Sequence, residues 1–213
     1  GHTVYAGSRD AERGRRAAEQ LGARRVLIDV TDDASVAAAA KAIEADGGLD
    51  VLVNNAGIEL RIEASDIERS VVPGAAEITA DMMRSVFETN VFGVVRVTHA
   101  FLPLLLRSSA PVVVNVSSGL ASITRASTGA HNYPGVAYPA SKAAVNMITV
   151  QYAKAFPQMR INAVEPGFTA TNLNRYKGTQ TVEEGAEIIA GMAQAGPDGP
   201  TGTYVSAEGP IPW

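Results

Sequence analysis

Asp50-Val51-Leu52-Val53-Asn54-Asn55-Ala56-Gly57 is a short apolar run that stops abruptly in two side-chain amides and two small residues. An unbroken Val-Leu-Val run suits a strand covered on both faces, and the Ala-Gly end lets main chain approach a neighbour closely. Taken alone, the segment fits a simple strand-end turn equally well. Similar apolar runs stand on either side of it, at Thr3–Ala6, Arg25–Asp29, Pro111–Val116, Arg160–Val164 and Gly202–Val205. Between the runs the period changes from strand to helix. Asp33–Asp46 puts Val36, Ala39, Ala40 and Ile43 on one face, with Thr31 or Asp32 as its cap and Gly47-Gly48 as its stop. Longer helical patterns cover Thr79–Arg107 and Tyr138–Phe156, the second ended by Pro157. A last helix begins near Thr181, where Glu183 and Glu184 suit the positive end of its dipole. Strands alternating with helices predict an α/β fold with a doubly wound parallel sheet of Rossmann-like type.

The chain has 213 residues, enough for one domain spanning 1–213. Its 46% hydrophobic and 19% charged content is that of a folded chain and excludes disordered, collagenous and coiled-coil classes. A net charge of −4 offers no broad basic surface, so nucleic acid is excluded as a partner. Without cysteine there is no disulfide, thiolate metal site or cysteine nucleophile, a composition that suits a cytoplasmic location. His2, His99 and His131 have no metal-ligand spacing. The longest greasy stretch, Phe101–Leu106, holds Pro103 and is far too short for a membrane helix. The opening Gly1-His2-Thr3-Val4 carries no signal peptide.

Chemistry is concentrated in Tyr138-Pro139-Ala140-Ser141-Lys142 and in Ser117-Ser118 at the end of the preceding strand. Tyr138 and Lys142 are four apart and share a helix face. An ammonium beside a phenol favours phenolate, which predicts a lowered Tyr138 pKa suited to proton transfer. The same pair also occurs on ordinary solvated helices. Asn90, among the apolar neighbours of Phe87–Gly93, is a poor helix former that needs a hydrogen-bonding reason to be there, structural or functional. Pro166-Gly167-Phe168-Thr169-Ala170-Thr171 follows another strand and brings hydroxyls to the same sheet edge.

Together, in this order and over essentially the whole chain, these segments resemble the short-chain dehydrogenase/reductase family. The resemblance implies a catalytic tetrad of Asn90, Ser118, Tyr138 and Lys142. In it, Tyr138 is the acid or base and Ser118 orients the substrate oxygen. Lys142 lowers the Tyr138 pKa and binds the nicotinamide ribose, and Asn90 holds a water that passes protons toward Lys142. It also implies that Asn54, Asn55, Ala56 and Gly57 line the adenosine side, Asp29 and Val30 contact adenine, and Pro166, Gly167 and Thr171 position the carboxamide. The strand ending Ala6-Gly7-Ser8-Arg9 has no carboxylate to grip a ribose 2′-hydroxyl, and Arg9 can fork onto a 2′-phosphate, which favours NADP(H). The alternative for Arg9 is a surface residue opening the next helix, with Asp10 beside it.

Val182-Glu183-Glu184-Gly185-Ala186 and Gly209-Pro210-Ile211-Pro212-Trp213 are similar to the carbonyl reductase branch. The expected substrate is therefore a small carbonyl, or an alcohol in reverse, with no nucleic acid or membrane partner. Family likeness leaves room for homo-oligomers through the long helices. Ile58–Ile78 and Leu120–Pro134 are expected as irregular loops, the second enlarged and shaping specificity through His131 and Tyr133. The family's opening strand and Thr-Gly-x-x-x-Gly-x-Gly turn do not occur in this sequence. About 30 residues of a βαβ unit are thus expected ahead of Thr3 in a complete member, and in a 3-2-1-4-5-6 sheet their absence leaves two open strand edges. Two function classes follow: an NADPH-dependent carbonyl reductase, or a catalytically silent Rossmann-like scaffold that senses nucleotide. A serine hydrolase is disfavoured, because Ser118 lies in no G-x-S-x-G elbow.

Overall fold

The computed structural model describes residues 1–63 and 70–213. Strands β1 (Tyr5–Ser8) and β2 (Arg24–Leu27) pair in parallel around helix α1 (Ala11–Leu21). Helix α2 (Asp33–Ala45) leads to β3 (Val51–Asn54), and two-residue strands β4 (Ile62–Glu63) and β5 (Ser70–Val71) form a small antiparallel ladder. Helices α3 (Ala80–Phe87) and α4 (Gly93–Leu105) precede β6 (Val112–Val116), α5 (Ile123–Ser127), α6 (Ala137–Ala155) and β7 (Arg160–Val164). Helix α7 (Val182–Ala193) and strands β8 (Tyr204–Ser206) and β9 (Gly209–Pro210) complete the described elements.

The main sheet runs β3-β6-β7-β8-β9, with every pair parallel except the last. All five β6 residues are buried because helices cover both faces. Val113 enters one apolar layer with Val36, Phe101, Leu105, Met159 and Ile161. Val112, Val114 and Val116 enter the other, beneath Ile188, Ile189 and Met192 of α7. Strand alternation thus splits one Val run between two cores. Tyr5 and Val26 pack on the first layer, so β1–β2 shares that core although it forms a separate hydrogen-bonded sheet. Among the described residues, β1 pairs with β2, and β3 with β6.

The expected strands are present with ends shifted by one or two residues, most at the first, which begins at Tyr5 rather than Thr3. The single helix expected over Thr79–Arg107 is two helices joined by a π turn at Glu88–Phe92. Leu120–Pro134 is not one open loop. A 3-10 turn at Gly119–Ala121 and helix α5 occupy its first half, the helix started by Ser122 Oγ accepting from Arg125 N at 3.1 Å. Ile58–Ile78 includes β4 and β5, and its residues 64–69 lie outside the described residues. The helix expected to open after Arg9 is α1; its bounds are not marked by an apolar stripe, because its outer face is charged at nearly every turn and only Gly14 and Ala18 are buried. No helix among the described residues is long and apolar enough to cross a membrane.

Candidate active site

Strands β3, β6 and β7 deliver their loops to one edge of the sheet, and the amides below fix where those loops start. Asn54 and Asn115 are register partners, and Asn54 Nδ2 donates to Asn115 Oδ1 at 2.8 Å and to Thr98 Oγ1 at 3.1 Å. Asn115 Nδ2 donates to Thr149 Oγ1 at 2.9 Å. A buried amide left unpaired is costly, so this row locks β3, α4, β6 and α6 together. It also corrects the expectation for Asn54. Its side chain is committed to the interior, whereas Asn55 and Ala56 are exposed and Gly57 is partly so.

Asn90 sits in the π turn, fully buried. Its Nδ2 donates to the Ile58 carbonyl at 2.9 Å and to Ser141 Oγ at 3.0 Å, and its Oδ1 accepts from Ile58 N at 2.8 Å. Asn90 therefore ties the loop after β3 to helix α6. Both Nδ2 protons are used, so the water-holding role expected of this side chain has only a lone pair of Oδ1 left to it. Ser141, unremarked in the sequence, completes the link by donating to the Tyr138 carbonyl at 2.7 Å. Its signal was its place inside the Tyr-x-x-x-Lys stretch.

The serine pair divides by partner. Ser117 is buried and donates to Asn146 Oδ1 at 2.6 Å. Ser118 Oγ accepts from Leu120 N at 3.3 Å and keeps its own proton free. The choice of Ser118 thus acquires a physical reason. Its hydroxyl lies beside that of Tyr138 and draws the Tyr138 pKa down.

That pull does not prevail. Burial pushes the Tyr138 phenol up to about 12, with the carboxylates of Glu59 and Glu165 adding to the rise. The lowering expected from Lys142 is absent. Lys142 Nζ is 5.8 Å from the Tyr138 ring centroid and donates instead to the Val116 carbonyl at 2.7 Å. Its own pKa falls to about 8, because burial disfavours the charged form. Gly57 faces this ammonium: a Cβ there would lie 3.5 Å from Lys142 Nζ and 3.6 Å from Asn90 Oδ1.

Three further segments flank the group. At the β1–α1 junction a cleft of about 370 Å³ is lined by Gly7, Ser8, Arg9, Arg13 and Gly14. Asp10 is used as the α1 cap, accepting from Arg13 N at 2.7 Å, so it does not neutralise Arg9, which is exposed and has no ion pair among the described residues. Arg13 was missed by the sequence reading, although its spacing of four from Arg9 could have indicated it. Asp29 closes a turn by accepting from Thr31 N at 2.9 Å and Thr31 Oγ1 at 2.7 Å, which hold its carboxyl below the usual range. Val30 packs against α4 at Gly93. After β7, Gly167 adopts φ 82°, its N–H donating to Glu165 Oε1 at 3.0 Å, while Thr171 N donates to Asn174 Oδ1 at 3.2 Å. Tyr133 donates to Glu59, which also pairs with Arg61, so the loop before α6 is tied to the loop after β3. A larger groove of about 720 Å³ between α2 and α4 contains none of the tetrad.

The short chain dehydrogenase family matches residues 1–182. This chain belongs to that family. The dehydrogenase is 35% identical to the short-chain dehydrogenase/reductase ATR10 of Stachybotrys chlorohalonatus, over 97% of this chain and 78% of the relative. It is 30% identical to salutaridine reductase of Papaver bracteatum, over 91% of this chain and 83% of that one. Among solved structures, an NADPH-bound carbonyl reductase from chicken fatty liver superimposes with a TM-score of 0.80 at 25% identity, over 99% of this chain and 88% of that one. The dehydrogenase is thus an oxidoreductase of a family that uses nicotinamide cofactors. Its residues fit such a cofactor: Gly57 leaves room beside Lys142, and the Arg9–Arg13 cleft is open and cationic.

Proposed function

We propose that this short-chain dehydrogenase is an NADPH-dependent reductase that converts a ketone, aldehyde or quinone to the alcohol, with Tyr138 as general acid. One observation supports the reading: Tyr138, Ser118 and Lys142 come together at the sheet edge, with the Ser118 hydroxyl beside that of Tyr138 and Lys142 Nζ 5.8 Å from the Tyr138 ring centroid. A donor that stays protonated at neutral pH suits proton delivery to a carbonyl oxygen that becomes basic as it is reduced. The reduced nicotinamide, when bound, supplies the hydride to the carbonyl carbon. Ser118 donates to the substrate oxygen and orients it, and Tyr138 then transfers its proton to that oxygen. Lys142, fixed by the Val116 carbonyl, would hydrogen-bond the nicotinamide ribose. Asn90 fixes the Ile58 loop and α6 in the geometry this requires.

Support for NADPH over NADH comes from the β1–α1 junction. Arg9 and Arg13 line its cleft; Asp10 caps the helix and pairs with Arg13 Nε at 3.5 Å, which leaves Arg9 as the guanidinium without an ion pair among the described residues. A guanidinium fork matches a 2′-phosphate, whereas an NAD site needs a carboxylate at that point. Asp29 and Val30 would contact adenine, and Pro166, Gly167 and Thr171 would hold the carboxamide.

The test is oxidation of NADPH, against NADH, with a panel of ketones, aldehydes and quinones, by the full-length protein and its Tyr138→Phe variant. The expected result is turnover with NADPH preferred, a loss of about 10²–10⁴-fold in kcat for Tyr138→Phe, and NADPH affinity unchanged. Substantial residual turnover removes Tyr138 from its role. NADPH binding without turnover of any panel member favours the nucleotide-sensing scaffold.

A further inference from the structure

The main chain at Ser118 is gripped by the end of the sheet. Tyr204 in β8 is 2% exposed, and its hydroxyl donates to the Ser118 carbonyl. The same carbonyl accepts from Ala121 N at 2.9 Å, so its two lone pairs are both engaged and the peptide after Ser118 has one orientation. The ring that carries this hydroxyl is itself fixed. It stacks on Trp213 with centroids 5.4 Å apart, and its own carbonyl accepts from Ile211 N at 2.9 Å. The stacked tail is pinned to the segment it supports: Ser122 Oγ donates to the Pro212 carbonyl at 2.5 Å, and Thr124 N and Oγ1 reach the Trp213 main-chain oxygen at 3.0 and 2.7 Å. On the opposite side, Asn146 accepts from Ser117 and its amide lies beside the Tyr204 hydroxyl.

We infer that Tyr204 is a positioning residue for Ser118: by holding the Ser118 carbonyl it fixes the main chain from which the Ser118 hydroxyl reaches the substrate oxygen and Tyr138. A buried tyrosine hydroxyl needs a partner, and any free carbonyl would satisfy it. The partner here belongs to the one residue whose side-chain direction the chemistry requires. Ser118 is extended, at φ −161° and ψ 148°, and caps the short 3-10 turn Gly119–Ala121, whose only bond to the Ser118 carbonyl comes from Ala121 N, so Tyr204 supplies the hold on that carbonyl from the sheet side. Its Oγ accepts from Leu120 N at a long 3.3 Å and lies beside the Tyr138 hydroxyl. The aim of that hydroxyl therefore depends on its backbone, and the backbone depends on Tyr204. Small misplacements at a reacting centre have large effects on rate. The inference rests on the reductase reading above.

The experiment is a double-mutant cycle on the full-length protein: wild type, Tyr204→Phe, Ser118→Ala and the pair, with kcat, carbonyl KM, NADPH affinity and thermal midpoint measured for each. Tyr204→Phe keeps the stacked ring and removes the hydroxyl. It is expected to lower kcat about tenfold, the equivalent of one hydrogen bond, with KM and NADPH affinity within about twofold. In the Ser118→Ala background the same change is expected to cost less than about twofold, because an effect that acts through Ser118 disappears with it. An equal loss in both backgrounds, or an unchanged kcat in the single variant, overturns the inference. Should Tyr204→Phe fail to fold, Trp213→Leu releases the ring while leaving its hydroxyl, and is read in the same two backgrounds with the same criteria. The reductase reading is judged separately. A large effect of Ser118→Ala with none from Tyr204→Phe overturns the positioning role alone, whereas no effect of Ser118→Ala, or no turnover by the wild type, overturns both.

Discussion

Lys142 carries its charge into a site where only 4% of its surface remains exposed, with the Val116 carbonyl as its one hydrogen-bond partner. Its folded value of about 8 lies below the ordinary 10.5. The folded chain therefore binds fewer protons than the unfolded chain between those limits, and Lys142 contributes stability that rises with pH across that window. Below pH 8 the penalty for burying the charge is present in full. Lys142→Met lacks this dependence. In thermal or denaturant unfolding without cofactor, the balance between the two proteins should move toward wild type from pH 8 to 10.5, by at most about 1.4 kcal/mol per pH unit. A difference that stays flat would mean that burial does not set this pKa. Tyr138 and Lys142 were legible in the sequence as a pair, because a spacing of four on a helix is a local property, whereas Asn90 and Ser118 were singled out by family resemblance. The ionisation of Tyr138 was read with the wrong sign. Proximity in sequence says that an ammonium is near a phenol, but not that the ammonium is turned to a carbonyl while the phenol loses its water.

The π turn between α3 and α4 shows how much a single element can hide. Periodicity indicated one long helix, and the apolar face does continue from one half to the other. The turn at Glu88–Phe92 places Asn90 against Ile58 and Ser141, which an unbroken amphipathic pattern does not reveal. π turns of this kind recur at functional sites. Just after it, Gly93 lets α4 approach the loop after β2: a Cβ there would lie 2.9 Å from Val30 Cγ2 and 3.2 Å from Val30 Cβ. Gly93→Ala gains helix propensity but overpacks this contact, and a net loss of about 1 kcal/mol is expected from the denaturation midpoint. NADPH affinity should fall with it, since Val30 is displaced. Adding Val30→Ala should restore both. Failure of that rescue would mean that the contact is not what requires glycine here. Helix α5 escaped the sequence reading, and α1 was indicated only by its start, for a related reason. Their faces are largely exposed, so they lack the apolar stripe that makes α2 obvious, and their caps at Asp10 and Ser122 are the clearer local signal.

Across the whole molecule, stability should be unevenly distributed. β6 and β7 are paired on both sides and lie between two helical layers, whereas β1–β2 forms a two-stranded ladder with Arg24, Arg25 and Leu27 exposed. Hydrogen exchange on the cofactor-free protein should find the β6 and β7 amides slowest, at the global unfolding limit, and the β1–β2 amides faster by at least tenfold. Equal protection would mean that the shared core binds the two sheets as one cooperative unit. A nucleotide that bridges Arg9 at one sheet and Gly57 at the other should narrow this difference, because it binds only the folded arrangement of both. The sequence by itself determined the order of strands and helices and the parallel α/β class. Each of these rests on periodicity, spacing or motif order, which neighbouring residues carry without reference to the rest of the chain. Only the tertiary structure decided which serine hydroxyl is spent on Asn146, that Asn54 faces inward, that burial raises the Tyr138 pKa and that Tyr204 grips Ser118. Those properties depend on burial and on hydrogen bonds between residues tens of positions apart, and such distances exist only once the chain is folded.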